Sequence, residues 1–260
     1  MLKKMVKFIF TKYKRIVLFT KKFSFLKKGG EKVRNYIVFN DFNTSEYALI
    51  EELPIVDKPE EDAEFIEIEG RHGCLTFRKG RYKPIEYTVD LVFKGKENRD
   101  IIKSKFQGSG NLILSNEPDR YYKSFVVGAI TFERQIRDIY ICSISFRLQP
   151  FAYEINEDEI SPFSQPYTLT NHTNTTAQPI IEIYGNGSGI LSINNTDIQI
   201  REIGECIILD FELQEAYGQD GSSKNTQVLT DYEELVVGEN VISWSGNIID
   251  INIFPRWRWL

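Results

Sequence analysis

The sequence predicts a mainly β protein with a single helix, built in two parts that are joined by an acidic, proline-bearing stretch. Three observations carry this. Period-two alternation of apolar and polar residues recurs over long runs after residue 34. Aromatic residues make up 13% of the chain, with 18 Phe and 13 Tyr, a bias toward strands. In the second half, turn signals separate short apolar runs at the spacing of about 8–12 residues that a sandwich or barrel requires. The chain has 260 residues, 42% hydrophobic and 27% charged, which excludes wholesale disorder and is enough for one large all-β domain or two ordinary ones.

Taken in order, Ile85, Tyr87, Val89, Leu91 and Phe93 line one face of a strand, with Glu86, Thr88 and Asp90 on the other. Such a strand spans roughly 30 Å. Tyr140, Cys142, Ile144, Phe146 and Leu148 repeat the pattern, opposite Ser143, Ser145 and Arg147, and Pro150 is expected to close that strand. Shorter strands are expected at Tyr36–Phe39, Glu64–Glu69, Leu75–Arg78, Asn111–Ser115 and Ser124–Phe132, with Lys79-Gly80 as a hairpin turn. One helix is expected near Glu97–Phe106, where Ile101, Ile102 and Phe106 form an apolar stripe before Gly108-Ser109-Gly110 ends it. Residues 154–166 lack periodicity and are the expected linker between a domain at 34–153 and a second at 167–260. In the second part, strands are expected at Ile180–Tyr184, Ile190–Asn194, Ile198–Arg201, Cys206–Phe211, Asn240–Trp244 and Ile248–Phe254. Gly185–Gly189 and Ser245-Gly246-Asn247 serve as turns between them.

Charge is divided unevenly. Residues 1–34 carry twelve Lys/Arg against Glu31 alone, a sum of +11, so with the chain at −5 the remainder stands at −16. An acidic body of this kind would have to recruit counterions rather than release them from a phosphate backbone, which argues against nucleic-acid binding. The longest run without Lys or Arg in the basic start, Ile16–Thr20, is five residues, against about 20 for a spanning helix. Residues 1–33 are read as a basic extension to a domain that begins near Val33, with a segment touching anionic lipid as the alternative. Three scattered cysteines, Cys74, Cys142 and Cys206, give neither a disulfide framework nor a zinc pattern.

No catalytic constellation stands out, and no cofactor or metal is expected. His72 and His172 fall in different parts of the chain, too few for a triad or a histidine metal site without chance placement. The acid clusters Glu51-Glu52, Glu60-Glu61-Asp62 and Glu157-Asp158-Glu159 are read as solvated loops rather than paired carboxylates across a cleft. Asp220-Gly221-Ser222 offers too few ligands for a calcium motif. Sequons at Asn43, Asn171, Asn174, Asn186 and Asn194 have no secretion signal behind them. The alternative binding function is carbohydrate stacking on exposed indoles, with Trp257 and Trp259 as candidates beside Trp244; the competing expectation packs all three into the fold.

Several stretches resemble one family, the siphophage distal tail proteins (Dit). Glu64–Lys83 (EFIEIEGRHGCLTFRKGRYK) is similar to the family's G-R-x-G-x-L segment, and Gly108–Tyr122 (GSGNLILSNEPDRYY) to its G-x-G-x-L segment. Phe146–Tyr153 (FRLQPFAY) is similar to the P-F-x-Y stretch that closes the first domain, and Pro255–Leu260 (PRWRWL) to an Arg/Trp-bearing end. The basic extension departs from the pattern. The resemblance implies an N-terminal tail-tube-like split β-barrel with one helix, followed by a C-terminal galectin-like β-sandwich. It also implies a non-enzymatic baseplate hub at the virion tail tip. There a homohexameric ring joins the major tail tube protein to the tail-associated fibre or lysin protein and, in some phages, holds receptor-binding proteins.

The segment Asp41–Asp62 completes the expectations. Pro54 and Pro59 remove backbone donors and bar it from a central strand, while Tyr47 and Leu49 supply apolar contacts. It is read as an arm that docks on a neighbouring subunit, with a loop folded back on its own domain as the alternative.

Overall fold

The computed structural model describes residues 34–156 and 158–260, so the basic extension lies outside the described residues. The expected alternation at Ile85–Phe93 and Tyr140–Leu148 is realised in two long strands, β5 (Ile85–Lys94) and β9 (Ile139–Glu154), paired antiparallel from Ile85↔Leu148 to Lys94↔Ile139. Tyr87, Val89, Leu91 and Phe93 are buried on one face, with Cys142, Ile144, Phe146 and Leu148 beside them. Around this pair the first sheet adds β1 (Ile37–Phe39), β2 (Phe42–Asn43), β6 (Ser109–Leu114), β7 (Glu117–Val127) and β8 (Phe132–Ile136). The one α-helix among the described residues, α1 (Lys96–Lys105), sits after β5 and buries Ile102, and Phe106 stacks on Phe39 at 5.7 Å between ring centroids. Its apolar stripe covers the first core as the sequence pattern requires.

Two expectations about where strands stop are corrected. β9 does not end at Pro150 but runs on to Glu154. Between Tyr122↔Ala152 and Ser124↔Leu148, four steps along β9 face two along β7, so Pro150 occupies a bulge where no ladder donor is needed. Lys79-Gly80 is likewise no hairpin turn. It lies inside β4 (Cys74–Tyr82), which pairs with β3 (Glu61–Glu67), and the turn itself is the segment from Ile68 to Gly73. Gly80 has φ +70° and sits in the bulge between Ala63↔Arg78 and Glu61↔Tyr82. The glycine signal was a real left-handed residue, spent on a kink within the strand.

The second sheet shows the same substitution of bends for turns. β11 (Ile180–Ile193) and β15 (Gly238–Phe254) are each continuous, so Gly185–Gly189 and Ser245–Asn247 do not separate strands as expected. The two pair along nearly their whole length, from Ile180↔Phe254 to Ile193↔Ile242, with register shifts at Gly185 and Gly189. A Cβ on Gly185 would lie 2.1 Å from the Asn247 carbonyl oxygen, and one on Gly189 would lie 2.5 Å from Ile248 Cγ1. Only glycine lets the bent strands approach this closely. One half of β11 pairs with β13 (Glu205–Asp210) and the other with β12 (Thr196–Ile200). Ile181 and Ile183 from the first half join Leu191 and Ile193 from the second in a single core. The sheet therefore folds over on itself. β10 (Tyr167–Asn171) and β14 (Glu215–Tyr217) complete it.

Each sheet thus has its own hydrophobic core, and the two form lobes within one compact unit, Asn35–Leu260. The chain then returns to the first sheet. β16 (Arg258–Trp259) pairs with β9 through Arg258↔Tyr153 and Trp259↔Ala152.

Candidate functional site: an exposed apolar hairpin

The hairpin β3–β4 forms a separate two-stranded sheet, apart from both larger ones. Its base is laced by ion pairs across the strands: Lys79 to Glu64 at 2.6 Å, Arg81 to Asp62 at 2.7 Å and Lys83 to Glu60 at 2.8 Å. Each pair is exposed enough to contribute little alone, so the array sets register more than stability. The distal half is different. Ile66 faces Leu75 and Glu64 faces Phe77, placing Ile66, Leu75 and Phe77 on one face, while Phe65 opposite Thr76 occupies the other. Phe65 is 69% exposed and Phe77 57%. An isolated two-stranded ribbon is marginal in water, and apolar side chains clustered on one form an exposed patch of the kind found at contact sites. The alternation EFIEIE foreshadows this strand, but its period places apolar groups without saying that they stay exposed among the described residues.

The segment preceding the hairpin is held by the first lobe. Tyr47 packs on Phe42 with ring centroids 5.0 Å apart, and Leu49 exchanges backbone hydrogen bonds with Val92 at 2.7 and 2.9 Å. Tyr87 donates its hydroxyl to the Pro54 carbonyl at 2.8 Å, and Pro59 is buried. Leu53 and Val56 pack on the first core, while Ile55 is exposed. Tyr47, Leu49 and Pro54 therefore lie together along one side of their own lobe, and Pro59 stands at the foot of the hairpin.

The two terminal indoles are not brought together as an open platform. Trp257 is buried, and the Arg120 guanidinium lies 3.9 Å above the ring of half-buried Trp259. His172 meets both indoles edge-on, at 5.3 and 5.7 Å between centroids. Trp244 is half-buried against the second core. These are packing positions, and the stacking alternative has no free indole face at Trp257. Asn171 is buried with its amide donated to the Thr175 and Leu235 carbonyls, which removes it as a glycan acceptor. Asp220 accepts from the Ser222 amide and hydroxyl in a tight local turn.

Among the described residues, no group of three or more His, Cys, Asp or Glu could hold a metal, and no helix is long and apolar enough to cross a membrane. Cys142 is buried in the first core, and burial together with nearby Asp90 pushes its thiol up to about 12, an unreactive setting. Cys206 is buried in the second lobe and its thiol is also raised by burial.

No family model matches the sequence, and no curated protein matches it. The fold does have a solved counterpart. The crystal structure of the SPP1 Dit (gp 19.1) protein, described as a paradigm of the hub adsorption apparatus in phages that infect Gram-positive bacteria, superposes with a TM-score of 0.70. The match is 12% identical in sequence and covers 87% of this chain and 99% of that one. This chain has a mainly β fold similar to that of the SPP1 Dit protein.

Proposed function

We propose that the chain is a structural hub subunit of a phage tail tip, assembled as a closed hexameric ring that continues the tail tube. The likeness in fold to a hub adsorption protein carries this reading. The partners on this reading are further copies of the chain, the major tail tube protein, and the tail-associated fibre or lysin protein; receptor-binding proteins attach at the side in some assemblies. The second lobe is then the outward-facing, galectin-like sandwich, with residues 154–166 as its linker, and the first lobe is the tail-tube-like ring domain. Assembly takes place in the bacterial cytoplasm, and the product resides at the virion tail tip.

The hairpin supports the ring. Heterologous contacts around a cyclic axis join one surface of each subunit to a different surface on the next, and a protruding apolar element can provide one of the two. Phe65, Ile66, Leu75 and Phe77 supply such an element. Tyr47, Leu49, Pro54 and Pro59 act as the root of the arm, fixing it to its own subunit while Ile55 and the hairpin reach outward. The acidic body fits a bore through which DNA passes without adhering.

Light scattering and electron-microscope images are expected to show six-fold rings, formed alone or with tail tube protein. Deleting Ile55–Asp62, or replacing Phe65 and Phe77 together by Ser, should dissolve the rings while β-type circular dichroism persists. A strict monomer at high concentration under both conditions overturns the proposal.

A further inference from the structure

We propose that the hexapeptide Pro255–Leu260 is a strap that sets the orientation of the second lobe on the first, with Arg258 as the residue on which it depends. The inference concerns the subunit itself and stands independently of the ring. The hexapeptide bonds to both lobes at once. On the first lobe its backbone extends the sheet beside β9, and the Glu154 amide donates to the Trp257 carbonyl at 3.1 Å. Arg120 caps Trp259, and the Arg258 guanidinium lies 4.2 Å from the centre of the Phe151 ring. On the second lobe, Arg258 Nε donates to the Thr176 carbonyl at 2.6 Å and Nη1 to Gln178 Oε1 at 2.7 Å, with Glu234 at 3.5 Å. Arg256 makes a two-pronged pair with Asp210, each contact 2.8 Å. Leu260 and Asn174 exchange hydrogen bonds at 2.9 and 3.1 Å.

Arg258 is 6% exposed. A buried guanidinium that joins an aromatic ring on one lobe to a carbonyl, an amide and a carboxylate on the other fixes direction as well as distance. A cleft of about 480 Å³ opens beside it, lined by Lys123, Phe125, Phe151 and Glu212 among others. The strap therefore spans a gap that close packing does not fill. Two other links across the lobes, Lys123–Glu212 at 2.7 Å and His172–Glu154 at 3.6 Å, are partly exposed polar pairs, the class with small free energies.

The test uses the full chain and two variants, Arg258→Met and a truncation lacking Arg258–Leu260. Calorimetry of the parent should show one unfolding transition for both lobes, and the 155–166 connection should resist protease. Arg258→Met keeps an apolar stem over Phe151 but removes the bonds to the second lobe. It should split the transition in two and speed cleavage within 155–166 by roughly tenfold, the factor that corresponds to about 1.4 kcal/mol of lost coupling. The truncation should do so to a greater degree. If Arg258→Met keeps a single transition and a resistant connection, at an unchanged or a lowered midpoint, the strap is ordinary packing and the inference is wrong. Should the truncation fail to fold, the Arg258→Met result decides alone.

Discussion

The two lobes bend their longest strands by different chemistry. In the first, β9 kinks where Gln149, Pro150 and Phe151 bulge between two paired stretches. In the second, β11 and β15 kink together where Gly185, Gly189 and Gly246 let the backbones close on each other. A proline bulge needs only a missing donor and a fixed φ on one strand, and its partner strand is undisturbed. A glycine bend needs the absence of side chains on both strands, because the space a Cβ would fill is already taken. The first tolerates substitution and the second does not.

The sharpest way to break this contrast is Gly185→Ala. Its Cβ would meet the Asn247 carbonyl oxygen at 2.1 Å, backbone that has no side-chain freedom to retreat. Destabilisation of about 3 kcal/mol is expected, read as a lowered denaturant midpoint of the second lobe. A loss below about 1 kcal/mol would mean that the bend yields easily.

A middle-sized effect probes how the second lobe is pinned beyond its bend. Burial alone would raise the Asp210 carboxyl, but the Arg256 guanidinium and the Leu213 and Glu212 amides outweigh it and hold it below its usual 3.8. A depressed carboxylate stabilises the fold above its unfolded value and loses that contribution as pH falls through the folded one. Asp210→Asn should therefore cost about 2 kcal/mol at pH 7 and flatten the acid limb of the stability profile below about pH 4. Parallel profiles for the parent and the variant would contradict the pairing.

Pro150→Ala is the smallest of the three. With the bulge already free of ladder bonds at that residue, only the entropy of the unfolded chain changes, by at most about 1 kcal/mol. Thermal midpoints of the parent and the variant should nearly coincide, and a large drop would mean that the ring of Pro150 bears packing.

These bends also mark the limit of what the sequence discloses. The faces of β5 and β9 and the stripe of α1 were legible, because alternation and helical spacing are set by the backbone period itself. The role of Lys79-Gly80, Pro150, Gly185–Gly189 and Ser245–Asn247 was not. Each is a true conformational signal, but whether a chain reverses or merely kinks there depends on a partner strand distant in sequence, such as Tyr122–Ser124 for Pro150. Of the candidate site residues, Tyr47 and Leu49 read as apolar positions, but only the packing of Tyr47 on Phe42 and the bridge from Leu49 to Val92 reveal that their own lobe engages them. The exposure of Phe65 and Phe77 is not legible in the sequence, because alternation identifies a strand without telling whether anything shields it.

The pairing of Arg258 with Tyr153 has a consequence for the order in which the molecule is made. The whole second lobe lies between these two residues, so the first sheet encloses it as a loop within its own strand sequence. Contacts of such long sequence separation form late, after the intervening chain has collapsed and its loop entropy has already been surrendered. The first lobe can thus acquire its core early and still lack its last strand until the second is complete. Refolding should end with a slow step in which the lobes gain protection together, a built-in check that a subunit is finished before its first sheet is whole.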